Sequence, residues 1–184
     1  MSTIDTANVV TYGSNAIIAL QSGAALPSQF LTFMLGDEQY AVGILHIKEI
    51  IEYGSLATVP MMPDCVRGVI NLRGAVVPVM DLSARFGRAQ SVIGKRSCIV
   101  IVEASGAEGE NKQVLGMLVD AVNAVVEIAA SDIEPAPSFG TRIRPDFIAG
   151  MGKYNGRFVI LLDIERVLSS EEIVDMARGT AALA

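Results

Sequence analysis

The chain has no tryptophan, one histidine and two cysteines among its 184 residues, and aromatic side chains make up only 5% of it. A single histidine and two separated thiols, Cys65 and Cys98, supply neither a His-rich nor a Cys-x-x-Cys metal site. They supply no disulfide framework and read as two thiols in a reducing compartment. Basic charge is also scarce, with 14 Lys and Arg against 20 Asp and Glu, a formal net charge of −6. A nucleic-acid groove combines a positive track with stacking rings, so this composition argues against nucleic acid as a partner. No uncharged apolar run approaches the roughly eighteen residues of a spanning helix, and the first fifteen residues lack a basic start, so no direct membrane insertion is expected. No GxGxxG follows a strand and no GxxxxGKS or GxxxxGKT occurs, which removes the common phosphate loops.

What is present is apolar residue, 51% of the chain, cut into short pieces with a mean hydropathy of +0.46. That pattern belongs to many short buried strands. Strands are expected at Gln29–Leu35, Gln39–Ile44, Lys48–Tyr53, Val66–Leu72, Ala75–Met80, Ser97–Glu103, Gln113–Val119, Ala121–Ile128, Phe147–Tyr154 and Arg157–Leu162. Ile44, Leu45, Ile47 and Ile50 fit one face of a short helical turn, and Ala129–Arg144 reads as long and irregular. Pro78 cannot donate to a ladder and predicts an edge strand or a bulge. Asp81 and Asp163 each precede a short helical stretch as capping residues. Ser169 and Glu172 form a capping box for a terminal helix.

An internal repeat organises these pieces. Residues 65–86 and 147–168 align without a gap at an offset of 82, matching Gly68 to Gly150, Gly74 to Gly156, Val77 to Val159 and Asp81 to Asp163. Upstream, EQYAVGILHIKEIIE and KQVLGMLVDAVNAVVE align at an offset of 74. Two small β units of about five strands each are implied, closed or nearly closed to hide their edges and sharing an apolar seam.

Catalytic chemistry is thin. His46 has no nucleophile or acid partner in evident reach. The paired carboxylates Asp81 and Asp163 are better read as helix caps than as an acid–base pair. Glu49 and Arg73 stand out instead, because each sits beside apolar strands at an irregular junction. If they meet, they clamp the Asn71–Gly74 turn against the Lys48–Tyr53 strand and fix the shape of a contact surface.

The segments FLTFMLGDEQYAVGILHIKEII, PDCVRGVINLRGAVVPVMDL, KQVLGMLVDAVNAVVEI, IEPAP and GRFVILLDIERVLSSEE resemble the CheW family of bacterial chemotaxis coupling proteins over residues 29–177. The resemblance implies an all-β fold with short helices, two SH3-like five-stranded barrels packed together, and a C-terminal helix. It divides the chain into an N-terminal arm (1–28), a first barrel (29–92), a second barrel (93–168) and a terminal helix and tail (169–184). It implies a non-enzymatic adaptor without cofactor or metal, cytoplasmic and recruited to membrane-associated receptor arrays. The expected partners are the regulatory domain of the chemotaxis histidine kinase and the cytoplasmic tip of methyl-accepting chemoreceptors, the tip lying in an apolar groove near the barrel junction. An adaptor of the same build in a pilus, surface-sensing or other non-flagellar chemosensory pathway is the alternative. By resemblance, Glu49 and Arg73 are coupling residues able to form an ion pair, and Ile47, Gly68 and Gly74 match positions implicated in receptor coupling or assembly. Gly43 departs from the acidic residue of some members, and His46 stands where a lysine can occur.

Overall fold

In the computed structural model, residues 28–105, 112–137 and 143–169 are described. Eleven strands run in chain order: β1 (Ser28–Leu35), β2 (Glu38–Gly43), β3 (Ile47–Glu52), β4 (Val66–Leu72), β5 (Ala75–Asp81), β6 (Cys98–Ser105), β7 (Lys112–Val119), β8 (Ala121–Ile128), β9 (Ile133–Glu134), β10 (Ile148–Tyr154) and β11 (Arg157–Leu162). Two four-residue helices, α1 (Leu82–Arg85) and α2 (Ile164–Val167), follow β5 and β11. Asp81 and Asp163 cap them: the Asp81 carboxylate accepts from the Ser83 amide at 3.0 Å and the Asp163 carboxylate from the Arg166 amide at 3.3 Å. The expected terminal helix and N-terminal arm lie outside the described residues, apart from Ser169 and from Ser28, which opens β1.

The strands form a six-stranded sheet, ordered β8-β1-β2-β11-β10-β9, and a five-stranded sheet, ordered β3-β6-β7-β5-β4. This corrects the division after residue 92. The first two strands of each repeat join the later strands of the other: β1 and β2 lie with β8–β11, and β6 and β7 lie with β3–β5. The reason is local to two bends. The 3-10 turn Ile44–His46 carries the chain from β2 in one sheet to β3 in the other, and Asp120 separates β7 from β8 at the equivalent place. Ile44 is buried in that turn but Leu45 is exposed, so the apolar side chains expected to line one helical face do not do so.

Exchanging the repeats maps one strand order onto the other, with β9 as the additional member of the larger sheet. The exchange also corrects the upstream offset. Leu161 pairs in parallel with Ala41, and its counterpart Val79 pairs with Gly116. Ala41 and Gly116 stand 75 apart rather than 74. A one-residue slip matters in a strand because it turns every side chain to the opposite face.

Period-two alternation explains the continuous apolar run of β6. Its residues Val100 and Val102 face a shared core with Phe33, Tyr40, Phe86 and Phe147, while Ile99 and Ile101 face a separate cluster with Val77, Val79 and Leu118. The other sheet has its own cluster of Ala41, Val126, Ile128, Val159 and Leu161. Each barrel thus has a small interior, and the largest core joins the two. Arg85 crosses this seam: its Nε donates to the Val167 carbonyl at 2.8 Å, and its guanidinium lies 4.7 Å from the centre of the Phe147 ring. Pro78 sits in an inner strand, yet pairing of β5 with β7 begins only at Val79, and a register shift in β4 lies between Val66 and Gly68. The missing amide therefore falls just outside the two-sided ladder.

Tyr40 reaches out of the shared core to the Glu38 carboxylate, which also binds Arg88 at 2.8 Å. Burial, then the bond to Glu38, pushes the Tyr40 phenol up to about 12. An unfolded tyrosine titrates near 10, so between pH 10 and 12 only the unfolded chain loses this proton. The stabilisation is complete below pH 10 and is lost as pH rises through about 12. Tyr40→Phe should flatten the fall of Tm over that interval in circular dichroism melts, and equal slopes for variant and parent would refute the assignment.

Candidate partner-binding site

The β4–β5 hairpin pairs Leu72 with Ala75, which leaves Arg73-Gly74 as a two-residue loop. Both residues have positive φ, 51° and 87°, as a type I′ turn requires. The Asn71 side-chain oxygen accepts from the Gly74 amide at 2.9 Å and braces the turn. Glycine suits the second position, but arginine does not suit the first: a left-handed conformation costs an ordinary side chain about 1–2 kcal/mol. The equivalent turn, between Tyr154 and Arg157, holds Asn155-Gly156 at φ 51° and 75°, the favoured residue pair.

Arg73 reaches Glu49, with Nη2 to Oε2 at 2.8 Å. Its side chain is 79% exposed, whereas that of Glu49 is 15% exposed. Glu49 is aimed by a bulge in β3, where the pairing with β6 shifts between Ile47 and Glu49 and leaves Lys48 as the extra residue. Because β3 and β4 are the two outermost strands of the five-stranded sheet, the ion pair spans its open ends. The chain after β3 helps close the same gap: the Ala57 amide donates to the Val69 carbonyl at 3.0 Å, and the Val69 amide donates back at 2.8 Å.

Gly68 permits that closure. A Cβ there would lie 2.5 Å from the Ala57 carbonyl oxygen. Its counterpart Gly150 is crowded in the same way by Ile133 Cγ2 at 2.8 Å and the Glu134 carbonyl at 3.1 Å, where β9 closes the other sheet. The five residues marked by the resemblance therefore separate. Glu49, Arg73 and Gly74 meet at the bulge and the hairpin tip. Gly68 lies further down β4 against Ala57, and Ile47 packs on the shared core.

Beside the ion pair lies an open groove of about 630 Å³, lined in part by Lys48, Leu72, Val76 and Val114. Val76 is 71% exposed. These residues escaped the sequence reading. The signal for Val76 was present, since buried Val77 and Val79 set the alternation that turns Val76 outward. Lys48 lies 3.9 Å from Glu103, which also stands 3.9 Å from Lys112. Among the described residues, no group of His, Cys, Asp or Glu is placed to hold a metal ion, and no helix is long and apolar enough to cross a membrane. Cys65 and Cys98 are free and buried, and burial raises both thiols above their ordinary value. The site offers a charged, strained rim on an apolar groove, which suits recognition of a protein surface.

Residues 29–172 match the family model of the CheW-like domain. The chain belongs to the CheW-like family. It is 37% identical to the chemotaxis protein CheW of Klebsiella aerogenes over 158 residues, covering 86% of this chain and 92% of the relative. It is 33% identical to CheW of Rhizobium meliloti, covering 78% of this chain and 89% of that one. Among solved structures, the scaffolding protein TtCheW of Thermoanaerobacter tengcongensis superposes with a TM-score of 0.70 at 33% identity, covering 79% of this chain and 90% of that chain. The two barrel-like subdomains are thus those of a CheW-like fold, and the Glu49–Arg73 site lies on the subdomain built from β3–β7.

Proposed function

We propose that this chain is a chemotaxis adaptor that couples the cytoplasmic tip of a chemoreceptor to the regulatory domain of the chemotaxis histidine kinase. It works by binding and by transmitting receptor state, with no covalent step, and acts in the cytoplasm at receptor arrays. The observation that carries this reading is the Glu49–Arg73 pair on its strained turn. With the Arg73 guanidinium out in water, the pair adds about 0–1 kcal/mol to folding, no more than the backbone of Arg73 costs. The other barrel builds the same bulge and the same turn with Ala124 and Asn155 at these places. The fold therefore needs neither charge, and a contact with a partner accounts for both. Gly74 lets the turn that carries Arg73 form, Gly68 lets the barrel close further down β4, and Ile47 anchors β3 on the shared core.

Arg73→Glu and Arg73→Asn separate binding from folding. Charge reversal should weaken capture of the cognate kinase regulatory domain, with and without the receptor tip, by about tenfold or more while the thermal melt stays cooperative. Arg73→Asn places a residue that tolerates positive φ and should raise stability by roughly 0.5–1 kcal/mol while also weakening capture. Unchanged capture by folded Arg73→Glu would sink the assignment.

A further inference from the structure

The two barrels meet along an apolar core, and apolar packing is non-directional. It holds the barrels together without fixing the angle between them. Two arginines cross this seam, both from the stretch that follows β5. That stretch is fastened to the barrel of β3–β7: the Arg88 amide donates to the Ser83 carbonyl at 3.0 Å, and the Ser91 amide donates to the Asp81 carboxylate at 2.7 Å. Arg85, only 8% exposed, donates from Nε to the Val167 carbonyl at the end of α2, and its Nη2 stands 3.5 Å from the Arg166 carbonyl. Its guanidinium lies over the ring of Phe147, just before β10. Three residues on, Arg88 donates to the Glu38 carboxylate at 2.8 Å and to the Tyr40 hydroxyl at 3.1 Å, both on β2. All of these partners belong to the other barrel.

The repeat shows what Arg85 adds. In the gap-free alignment at offset 82, Arg85 falls on Val167, so its side chain bonds the backbone of its own counterpart. The contact therefore lies near the approximate twofold axis that relates the repeats. In α2 the same position is filled by a valine with no exposure. A buried guanidinium gives up hydration that a valine never had, so burial alone favours the apolar side chain. What the arginine supplies is direction, because planar donors set against carbonyls and a ring fix an orientation.

We infer that Arg85 and Arg88 are positioning residues that fix the angle between the two barrels, and that this angle carries receptor state to the kinase regulatory domain. This rests on the functional reading above. A rigid joint lets a partner held by one barrel bias a partner held by the other, whereas a loose joint lets each bind alone. Neither arginine lines the groove beside Glu49 and Arg73, so that surface stays intact when they are replaced.

The test reads the joint and the coupling separately in the full-length chain. Spin labels on Val76→Cys and Phe158→Cys mark one exposed site on each barrel, and brief labelling spares the buried thiols Cys65 and Cys98. Electron–electron distance measurement should give one narrow distribution for the parent and a clearly broader one for Arg85→Met combined with Arg88→Gln. Arg85→Lys keeps the charge without the planar fork and should broaden it less than Arg85→Met. In unlabelled chain, affinity for the cognate kinase regulatory domain is measured with and without saturating receptor tip. The parent should differ by about fivefold or more between the two conditions. The double variant should bind each partner alone within about twofold of the parent and bring the difference between conditions below about twofold. Should the double variant fail to give a cooperative melt, Arg88→Gln alone, at a partly exposed side chain, is read in the same way. A folded variant that keeps the parental difference, keeps the parental distances, or loses either partner alone overturns this inference and leaves the functional reading intact. A parent whose affinity for the regulatory domain is absent, or unmoved by the tip, overturns the functional reading and the inference with it.

Discussion

A chain cut after Val92 should yield two fragments, 1–92 and 93–184, that are unfolded apart and regain the native spectrum when mixed. Apart, the first keeps only the β1–β2 and β4–β5 hairpins, and loses the pairing of β1 with β8, β2 with β11, β3 with β6 and β5 with β7. Isolated hairpins are marginal in water, and the shared core holds side chains from both fragments. The site of the cut is benign. Val92 is exposed, the Ser91 amide is tied to Asp81 at 2.7 Å within the first fragment, and Ile93 packs beside Ile99 and Ile101 of the second. Equimolar mixing should restore a cooperative melt and a complex of one copy of each, read by circular dichroism and light scattering. A stably folded 1–92 fragment would refute the exchanged arrangement, because a barrel made of consecutive strands is what would survive alone.

Replacing Gly68 by alanine should be the most damaging single methyl addition on the candidate surface, lowering unfolding free energy by about 2–4 kcal/mol in urea. Its Cβ would meet a backbone carbonyl at 2.5 Å, and Ala57 cannot retreat without breaking its paired bonds to Val69. Gly74 makes the comparison. It has φ of 87° with no atom within 4 Å of an added Cβ, so Gly74→Ala should cost only about 1–2 kcal/mol of backbone strain. On the proposed function, capture of the kinase regulatory domain by Gly68→Ala should fall in step with the folded fraction, since the residue acts on barrel closure. A variant with parental stability and lost binding would instead make Gly68 a contact residue.

Much of this molecule was legible in order along the chain. Turn residues and alternation marked ten of the strands to within a few residues, and the two aspartates were read as caps. β9 was not, because two residues among prolines carry no periodicity. Glu49 and Arg73 were nominated by their odd positions, but their meeting depends on a bulge and a turn that belong to different strand pairs.

The sequence by itself determined the all-β class, the repeat, the family and the residues on which a coupling surface was to be sought. These rest on local chemistry: which residues alternate, which tolerate a turn and which cap a helix. Only the tertiary structure decided that the repeats exchange strands, that their true offset is 75 upstream, and that Glu49 and Arg73 meet in an ion pair. The physical reason is that a strand's hydrogen-bonding edge is generic: every residue but proline offers the same amide and carbonyl, so the partner is chosen by burial across the whole core rather than by the strand's own residues.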